Sequence, residues 1–169
     1  LAESFIRMSR LEQHIIQIKK EETDILKTVR NALGQIQCRA EEKELEVSGD
    51  FSGRASCAHD ANWLGEALFN IFDNAVKYSR KGGALKVSVT ENEMFLKIRV
   101  RDYGIGIDEG EECQIFRRFY RGRRVTSQEG FGIGLYLARE IVNMHGGFLV
   151  VKRKEPGVVM EVDLPVDFS

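Results

Sequence analysis

The stretch ANWLGEALFNIFDNAVKYS (61–79) is the longest helical pattern of the chain. Its apolar residues recur every three or four positions, as on the buried face of an α-helix. They are Leu64, Ala67, Leu68, Ile71, Phe72 and Ala75. Asp60 stands where an N-cap is needed, and Gly82 and Gly83 end the pattern. We predict a helix over 61–79 that packs on a core.

A polar stripe runs along the same stretch. Glu66, Asn70, Asn74 and Lys77 are four, four and three residues apart, so their side chains share one helix face. Carboxamides beside a carboxylate suit a hydrated divalent cation, which prefers oxygen ligands, and a lysine adds a point charge for phosphate. Taken alone, such a stripe is more often a solvated helix face.

The sequence on either side predicts an α+β fold. The predicted elements are helices over 1–20, 25–40 and 133–145, strands within 45–60, and strands over 84–90, 95–101, 148–154 and 158–165. The last four strands pair as two hairpins, the second turning at Glu155, Pro156 and Gly157. We expect a two-layer sandwich, with a mixed, mostly antiparallel sheet covered by helices on one face.

The composition is typical of a globular domain, and its net charge does not favour binding to nucleic acid. The 169 residues are 43% hydrophobic and 30% charged, with a net charge of −1. Three distant cysteines, Cys38, Cys57 and Cys113, argue against a disulfide framework or a zinc site and fit a reducing compartment. No apolar run approaches the ~20 residues that span a bilayer. The chain begins at Leu1, and we expect it to be part of a longer protein, as a soluble intracellular domain.

Three further motifs carry chemistry. In DYGIG (102–106), Asp102 follows a predicted strand and could accept a hydrogen bond from an exocyclic amine such as that of adenine. IFRRFYR (115–121) interleaves arginines, which bind phosphate, with aromatic anchors. GFGIGL (130–135) opens a helix whose backbone N–H groups can bind an anion. Together with the stripe, these groups point to one ligand, Mg-ATP.

Other interpretations of single motifs are weaker. DYGIG is not the DFG of protein kinases, because no HRD loop or VAIK strand accompanies it. GFGIGL lacks the spacing and the leading strand of a dinucleotide site. The arginine–aromatic cluster could contact single-stranded nucleic acid, which the neutral net charge disfavours.

The four motifs, in this order, resemble the N, G1, F and G2 boxes of the catalytic ATP-binding domain of bacterial sensor histidine kinases, on the Bergerat ATPase fold. The resemblance covers roughly residues 23–166, and SRLE (9–12) looks like the end of the second dimerisation helix. It implies a helix remnant and linker over 1–22 and a catalytic domain over 23–169. It also implies transfer of the γ-phosphoryl of ATP to a histidine of a dimerisation domain, for relay to a response regulator. The full-length protein would be a membrane-anchored homodimer with this domain in the cytoplasm.

At the phosphate end, the resemblance implies that Asn70 ligates Mg²⁺. Asn74 and Lys77 would contact the phosphates or the water shell of the ion, and Glu66 would orient the cation or the transferring group. The catalytic residues implied are Glu66, Asn70, Arg118 and Arg121. Either arginine could reach the γ-phosphate.

At the base end, the resemblance implies that Asp102 binds the adenine amine and that Tyr78 packs at the ribose or base. Gly104 and Gly106 would shape the floor of the pocket. The remaining nucleotide-binding residues implied are Gly130, Gly132, Gly134 and Leu135, of which the glycines would let the loop fold over the triphosphate.

One departure from the family is the absence of its phosphoacceptor motif, a histidine followed by an acidic residue and an arginine. His14, His59 and His145 are poor substitutes, so we expect the chain to bind Mg-ATP without phosphorylating itself. Glu129 replaces a small residue before the glycine run. The alternatives are a non-catalytic nucleotide-binding module and an anti-sigma-type serine kinase, the latter disfavoured by SRLE. Hydrolytic relatives such as the gyrase B subunit need a second domain that supplies a lysine.

Overall fold

The computed structural model describes residues 17–51, 53–117, 120 and 134–166. Its elements, in chain order, are β1 (Glu21–Asp24), α1 (Ile25–Glu42), β2 (Glu46–Ser48), β3 (Ser56–His59), α2 (Ala61–Tyr78), β4 (Ala84–Glu91), β5 (Phe95–Asp102), α3 (Gly134–Met144), β6 (Phe148–Arg153) and β7 (Val158–Pro165). From residue 25 onward, the predicted helices and hairpin strands are confirmed to within two residues at each end. The predicted helix over 1–20 falls mostly outside the described residues, and its last four residues, 17–20, are not helical, so the prediction is wrong there.

Five strands form one mixed sheet in the order β2-β4-β5-β7-β6. β2 runs parallel to β4, and every other pairing is antiparallel, as predicted. β1 and β3 pair separately as a two-stranded antiparallel sheet. The sequence did not predict β1, because EETD has no alternation of apolar and polar residues.

Within the described residues, three helices and one face of the large sheet enclose one hydrophobic core. On β5, Leu96, Ile98 and Val100 are buried, whereas three of the four residues that alternate with them are charged and lie on the opposite face. Helices α2 and α3 pack on each other and on β5 and β6 respectively. The predicted two-layer sandwich is therefore confirmed for the described residues.

Helices α1 and α2 are each preceded by an aspartate that serves as the N-cap. The Asp24 carboxylate accepts a hydrogen bond from the Leu26 N–H, at 3.0 Å, at the start of α1. The Asp60 carboxylate accepts from the N–H groups of Asn62 and Trp63, each at 3.1 Å, at the start of α2. These caps provide acceptors for N–H groups that have no partner inside a helix.

His145 connects the end of α3 to the start of α2. Its Nδ1 donates to the Ile141 carbonyl oxygen at 2.8 Å, and its Nε2 accepts from the Asp60 N–H at 3.1 Å. The ring therefore has to be neutral, with its proton on Nδ1. Burial lowers the pKa of His145 from its usual 6.5, an effect that the Ile141 hydrogen bond partly opposes.

The neutral state of His145 predicts a loss of stability in weak acid. A histidine with a lowered folded-state pKa stabilises the fold above its usual pKa, and this stabilisation is lost as the pH falls through the folded-state pKa. We expect the Tm of the parent chain to fall between pH 7.5 and 5.5 more steeply than that of His145→Gln, which does not titrate. Circular dichroism melts at several pH values provide the measurement, and parallel curves would contradict the prediction.

Candidate functional site

The candidate site forms where the end of α2 meets the turn that follows β5. The Gly104 backbone packs directly on α2, since a Cβ at this position would lie 1.9 Å from the Tyr78 carbonyl oxygen. The next residue, Ile105, donates its N–H to the same oxygen at 3.1 Å. Gly106 has a φ of +69°, in the left-handed region that favours glycine. Gly104 thus lets the turn pack on α2, and Gly106 lets the chain adopt its left-handed conformation.

Asp102 ends β5 at this junction and is only 4% exposed. Its Oδ1 accepts from the backbone N–H groups of Gly104, at 3.0 Å, and Val158, at 3.3 Å. Burial raises the pKa of Asp102, and the two N–H groups partly oppose that increase. Because both hydrogen bonds use Oδ1, the carboxylate has a fixed orientation in which Oδ2 is the candidate acceptor for a ligand amine.

Gly157, in the turn between β6 and β7, supports the same carboxylate. Its φ is +84°, and a Cβ there would lie 2.2 Å from the Asp102 carbonyl oxygen and 2.7 Å from Asp102 Oδ1. Arg101 Nη2 donates to the Pro156 carbonyl oxygen at 2.8 Å and so fixes this turn. The sequence predicts this turn, but it does not predict that the turn contacts Asp102, because no local pattern relates the two.

The polar stripe on α2 lies beside the start of α3. All four of its members are half-buried: Glu66, Asn70, Asn74 and Lys77. Asn70 Nδ2 is buried and has no hydrogen-bond partner among the described residues. A Cβ on Gly134 would lie 3.9 Å from the Asn70 side chain, while Leu135 packs against the core. The fold therefore brings together the first motif and the end of the fourth.

Lys77 forms an ion pair with Asp73 that was not predicted from the sequence. Its Nζ lies 3.3 Å from Asp73 Oδ2, one turn earlier on α2. Asp73 is nearly buried and also pairs with Arg39 of α1. A contact between Lys77 and phosphate stays a prediction, and the ammonium group has further N–H donors beside the one directed at Asp73.

The segment before the arginines of the third motif is anchored in the core. Ile115 and Phe116 are buried, and the Arg139 guanidinium carbon lies 5.4 Å from the centre of the Phe116 ring. Glu111, which is fully buried, accepts from the Asp108 N–H at 2.7 Å and from the Tyr120 hydroxyl. The residues of the sequence analysis that lie outside the described part of the chain are His14, Arg118, Arg121, Glu129, Gly130 and Gly132.

The described residues contain no group of three or more His, Cys, Asp or Glu side chains that could hold a metal ion. Any cation here would depend on Asn70 and its neighbours on the stripe, and on oxygens that the ligand itself brings. All three cysteines are unpaired, and burial raises the pKa of the Cys57 thiol to about 11. In the part of the chain that is described, no helix is both long and apolar enough to cross a bilayer.

Residues 59–167 match the family of histidine kinase-, DNA gyrase B- and HSP90-like ATPases. The chain belongs to this family. It is 31% identical over 139 residues to the adaptive-response sensory kinase SasA of Synechococcus sp. (strain JA-3-3Ab), covering 81% of this chain and 37% of SasA. It is 32% identical over 145 residues to the histidine-protein kinase/phosphatase MprB of Mycobacterium sp. (strain KMS), covering 81% of this chain and 26% of MprB. The chain thus spans well under half the length of these relatives.

Solved structures agree with this membership of the ATPase family. A structure of the mycobacterial sensor histidine kinase MprB superimposes with a TM-score of 0.75 at 28% identity, covering 88% of this chain and 98% of that one. Full-length ShkA in complex with AMPPNP gives a TM-score of 0.82 at 21% identity, covering 98% of this chain and 35% of ShkA. The second likeness shows the fold alone. The fold predicted from the four motifs, that of histidine kinase ATPase domains, is therefore confirmed.

Asp102→Asn should separate ligand binding from folding. Asparagine keeps the Oδ1 acceptor but places an NH₂ group where a ligand amine would bind. We expect ATP affinity to fall about tenfold or more, since a hydrogen bond to a charged group contributes about 1.5–3 kcal/mol. Because burial raises the pKa of Asp102, ionisation opposes folding at neutral pH, and the Tm of the variant at pH 7.5 should not fall.

Calorimetric titration and thermal melts provide both measurements for Asp102→Asn. Gly104→Ala is the control for a structural effect, because its Cβ would meet a backbone carbonyl and should reduce both Tm and affinity. Unchanged ATP affinity in Asp102→Asn would contradict the assignment of Asp102.

Proposed function

We propose that this chain carries the ATP-binding catalytic domain of a sensor histidine kinase over residues 23–169, with the end of a dimerisation helix and a linker over 1–22. The observation that supports the proposal most strongly is the Asp102 carboxylate. It is buried, oriented by two backbone N–H groups, and placed on a turn that is packed against α2. The kinase names of the relatives support the same assignment.

In this proposal, adenine binds at the Asp102 end. Oδ2 accepts a hydrogen bond from the exocyclic amine, and the glycines let the base approach the backbone. Tyr78 packs at the ribose or base. A guanine base has a carbonyl oxygen where adenine has its amine, and two acceptors would then face each other, so the site should discriminate against GTP.

The triphosphate then lies along the stripe toward the start of α3. The donor set fits Mg²⁺, because carboxamide and carboxylate oxygens are suitable ligands and Mg²⁺ commonly takes few protein ligands beside phosphates and water. Asn70 would hold the ion, while Glu66, Asn74 and Lys77 contact its water shell or the phosphates. Bound there, Mg²⁺ would neutralise phosphate charge.

The chain's own part in phosphoryl transfer is positioning and charge stabilisation. Asp102 and the glycine turn fix the base, the α2 stripe fixes the phosphates, and Arg118 or Arg121 stabilises charge on the γ-phosphoryl group. The nucleophile is a histidine of a dimerisation domain, and a response regulator receives the phosphoryl group next. In a longer, homodimeric and membrane-anchored protein, this domain would face the cytoplasm.

Nucleotide titration tests the proposed site directly. We expect a non-hydrolysable ATP analogue to bind in the presence of Mg²⁺ and the GTP analogue to bind at least about tenfold more weakly, from the lost amine contact. Asn70→Ala should bind the ATP analogue with little dependence on Mg²⁺, because the variant lacks the proposed ligand. Calorimetry with Mg²⁺ and with EDTA provides the comparison, and Cys38→Ala, an exposed position on α1, is the control. Equal affinity for the two nucleotides would refute the adenine assignment.

Self-phosphorylation of the 169-residue chain should be absent. In the described part, His145 uses both ring nitrogens in the hydrogen bonds given above, and His59 uses Nδ1 with the Cys57 carbonyl oxygen and Nε2 with the Thr28 hydroxyl, each at 2.8 Å. Incubation with radiolabelled ATP should give acid-labile phosphate only on a dimerisation domain supplied in trans. Acid-labile phosphate on the chain alone would contradict this prediction.

A further inference from the structure

Lys43, the C-cap residue of α1, places its ammonium group at the end of α2. Its Nζ donates to the carbonyl oxygens of Val76, Lys77 and Ser79 at 2.8, 2.6 and 2.9 Å. The last carbonyls of a helix lack partners within the helix, and a cation is favourable at that end of the helix dipole. The Lys43 carbonyl oxygen in turn accepts from the Gly82 N–H at 2.8 Å. Lys43 therefore donates to the end of α2 through its side chain and accepts, through its backbone carbonyl, from the segment that follows α2.

The carbonyl oxygen of Tyr78, the residue between Lys77 and Ser79, is not among those to which Lys43 donates. This carbonyl belongs to the candidate site. Gly104 packs on it and Ile105 donates to it. Four consecutive carbonyls at the end of α2, from Val76 to Ser79, are therefore held from two sides. Lys43 holds three of them, and the turn that orients Asp102 holds the fourth.

The ammonium group is chemically suited to this place. It has three N–H donors in a compact arrangement, which matches three carbonyl oxygens converging on one point. Burial lowers the pKa of Lys43, the direction expected where protein atoms take the place of water around an ammonium group. Removal of this side chain would leave the Lys77 and Ser79 carbonyls without this donor and the Val76 carbonyl with the 3.3 Å hydrogen bond from the Ser79 N–H alone. The last turn of α2 would then be free to move.

We infer that Lys43 is a positioning residue of the nucleotide site, which acts by holding the Tyr78 carbonyl where the 102–106 turn packs. The inference rests on the proposed function, because it concerns the pocket in which Asp102 would bind adenine. It assigns Lys43 no contact with the nucleotide. Its effect should therefore appear at the adenine end, which ATP and ADP share.

The test compares Lys43→Met with Thr28→Val in the 169-residue chain. Thr28 lies on the same helix and hydrogen-bonds to His59, remote from the 102–106 turn, so its loss should lower stability without moving the pocket. We expect Lys43→Met to lower the affinity for ADP and for the ATP analogue by the same factor, about three- to tenfold, as for partial loss of one hydrogen bond. Thr28→Val should leave both affinities within twofold of the parent chain.

Hydrogen exchange gives a second readout that a general loss of stability would not produce. In Lys43→Met, the Ile105 amide should exchange faster relative to the Ile98 amide of β5, whereas Thr28→Val should leave this ratio unchanged. Lys43→Gln keeps N–H donors without the charge, so it should lower the affinity for both nucleotides by a smaller factor. This variant replaces Lys43→Met in the test if Lys43→Met does not fold.

The outcomes distinguish the inference from the function on which it rests. A parent chain that binds neither nucleotide overturns both. The role of Lys43 alone is overturned if the parent chain binds both nucleotides and a folded Lys43→Met variant binds them equally well. It is also overturned if the Ile105 amide of that variant exchanges at the parent rate relative to the Ile98 amide. Failure of both Lys43 variants to fold would make Lys43 a requirement of the fold and would also overturn the positioning role.

Discussion

The backbone carbonyls at the end of α2 are the constraint on which the candidate site depends. A helix end needs donors, and here one of the donors is the turn that forms the adenine end of the proposed pocket. Gly104 is glycine because the Tyr78 carbonyl occupies the space of its Cβ. The geometry around Asp102 is therefore set by backbone packing against α2, so the site cannot move independently of the helix.

The same helix also determines where the phosphates can go. Tyr78 lies eight positions after Asn70, a rise of about 12 Å along the helix. A nucleotide can span that length, whereas a lone metal ion or phosphate cannot. Because α2 packs on α1, α3 and the sheet, the two ends of the site keep a fixed separation. Asp73 pairs with both Lys77 and Arg39, and these ion pairs fix the helix face between the two ends of the site.

Local patterns sufficed to predict the helices, the hairpins and the position of Asp102, because periodicity, caps and glycine turns are properties of neighbouring residues. What supports these features is not local. Nothing in EETD predicts that β1 pairs with β3, and nothing in the hairpin turn relates Gly157 to Asp102. Lys43 lies in a run of charged residues and resembles any surface lysine until α1 and α2 are placed side by side. The sequence therefore indicates which residues would contact a nucleotide, and the fold shows which residues hold them.

A buried histidine and a half-buried lysine hold the two ends of α2, and burial acts on them in opposite ways. His145 accepts from the N–H at the first end and must be neutral, so the burial that lowers its pKa favours the state that the fold needs. Lys43 donates at the other end and must be charged, so burial opposes the state that the fold needs. Three carbonyl oxygens offset that cost only when they converge on one point. Lys43 thus favours one conformation of the helix end over nearby alternatives, and it is on this conformation that the 102–106 turn packs.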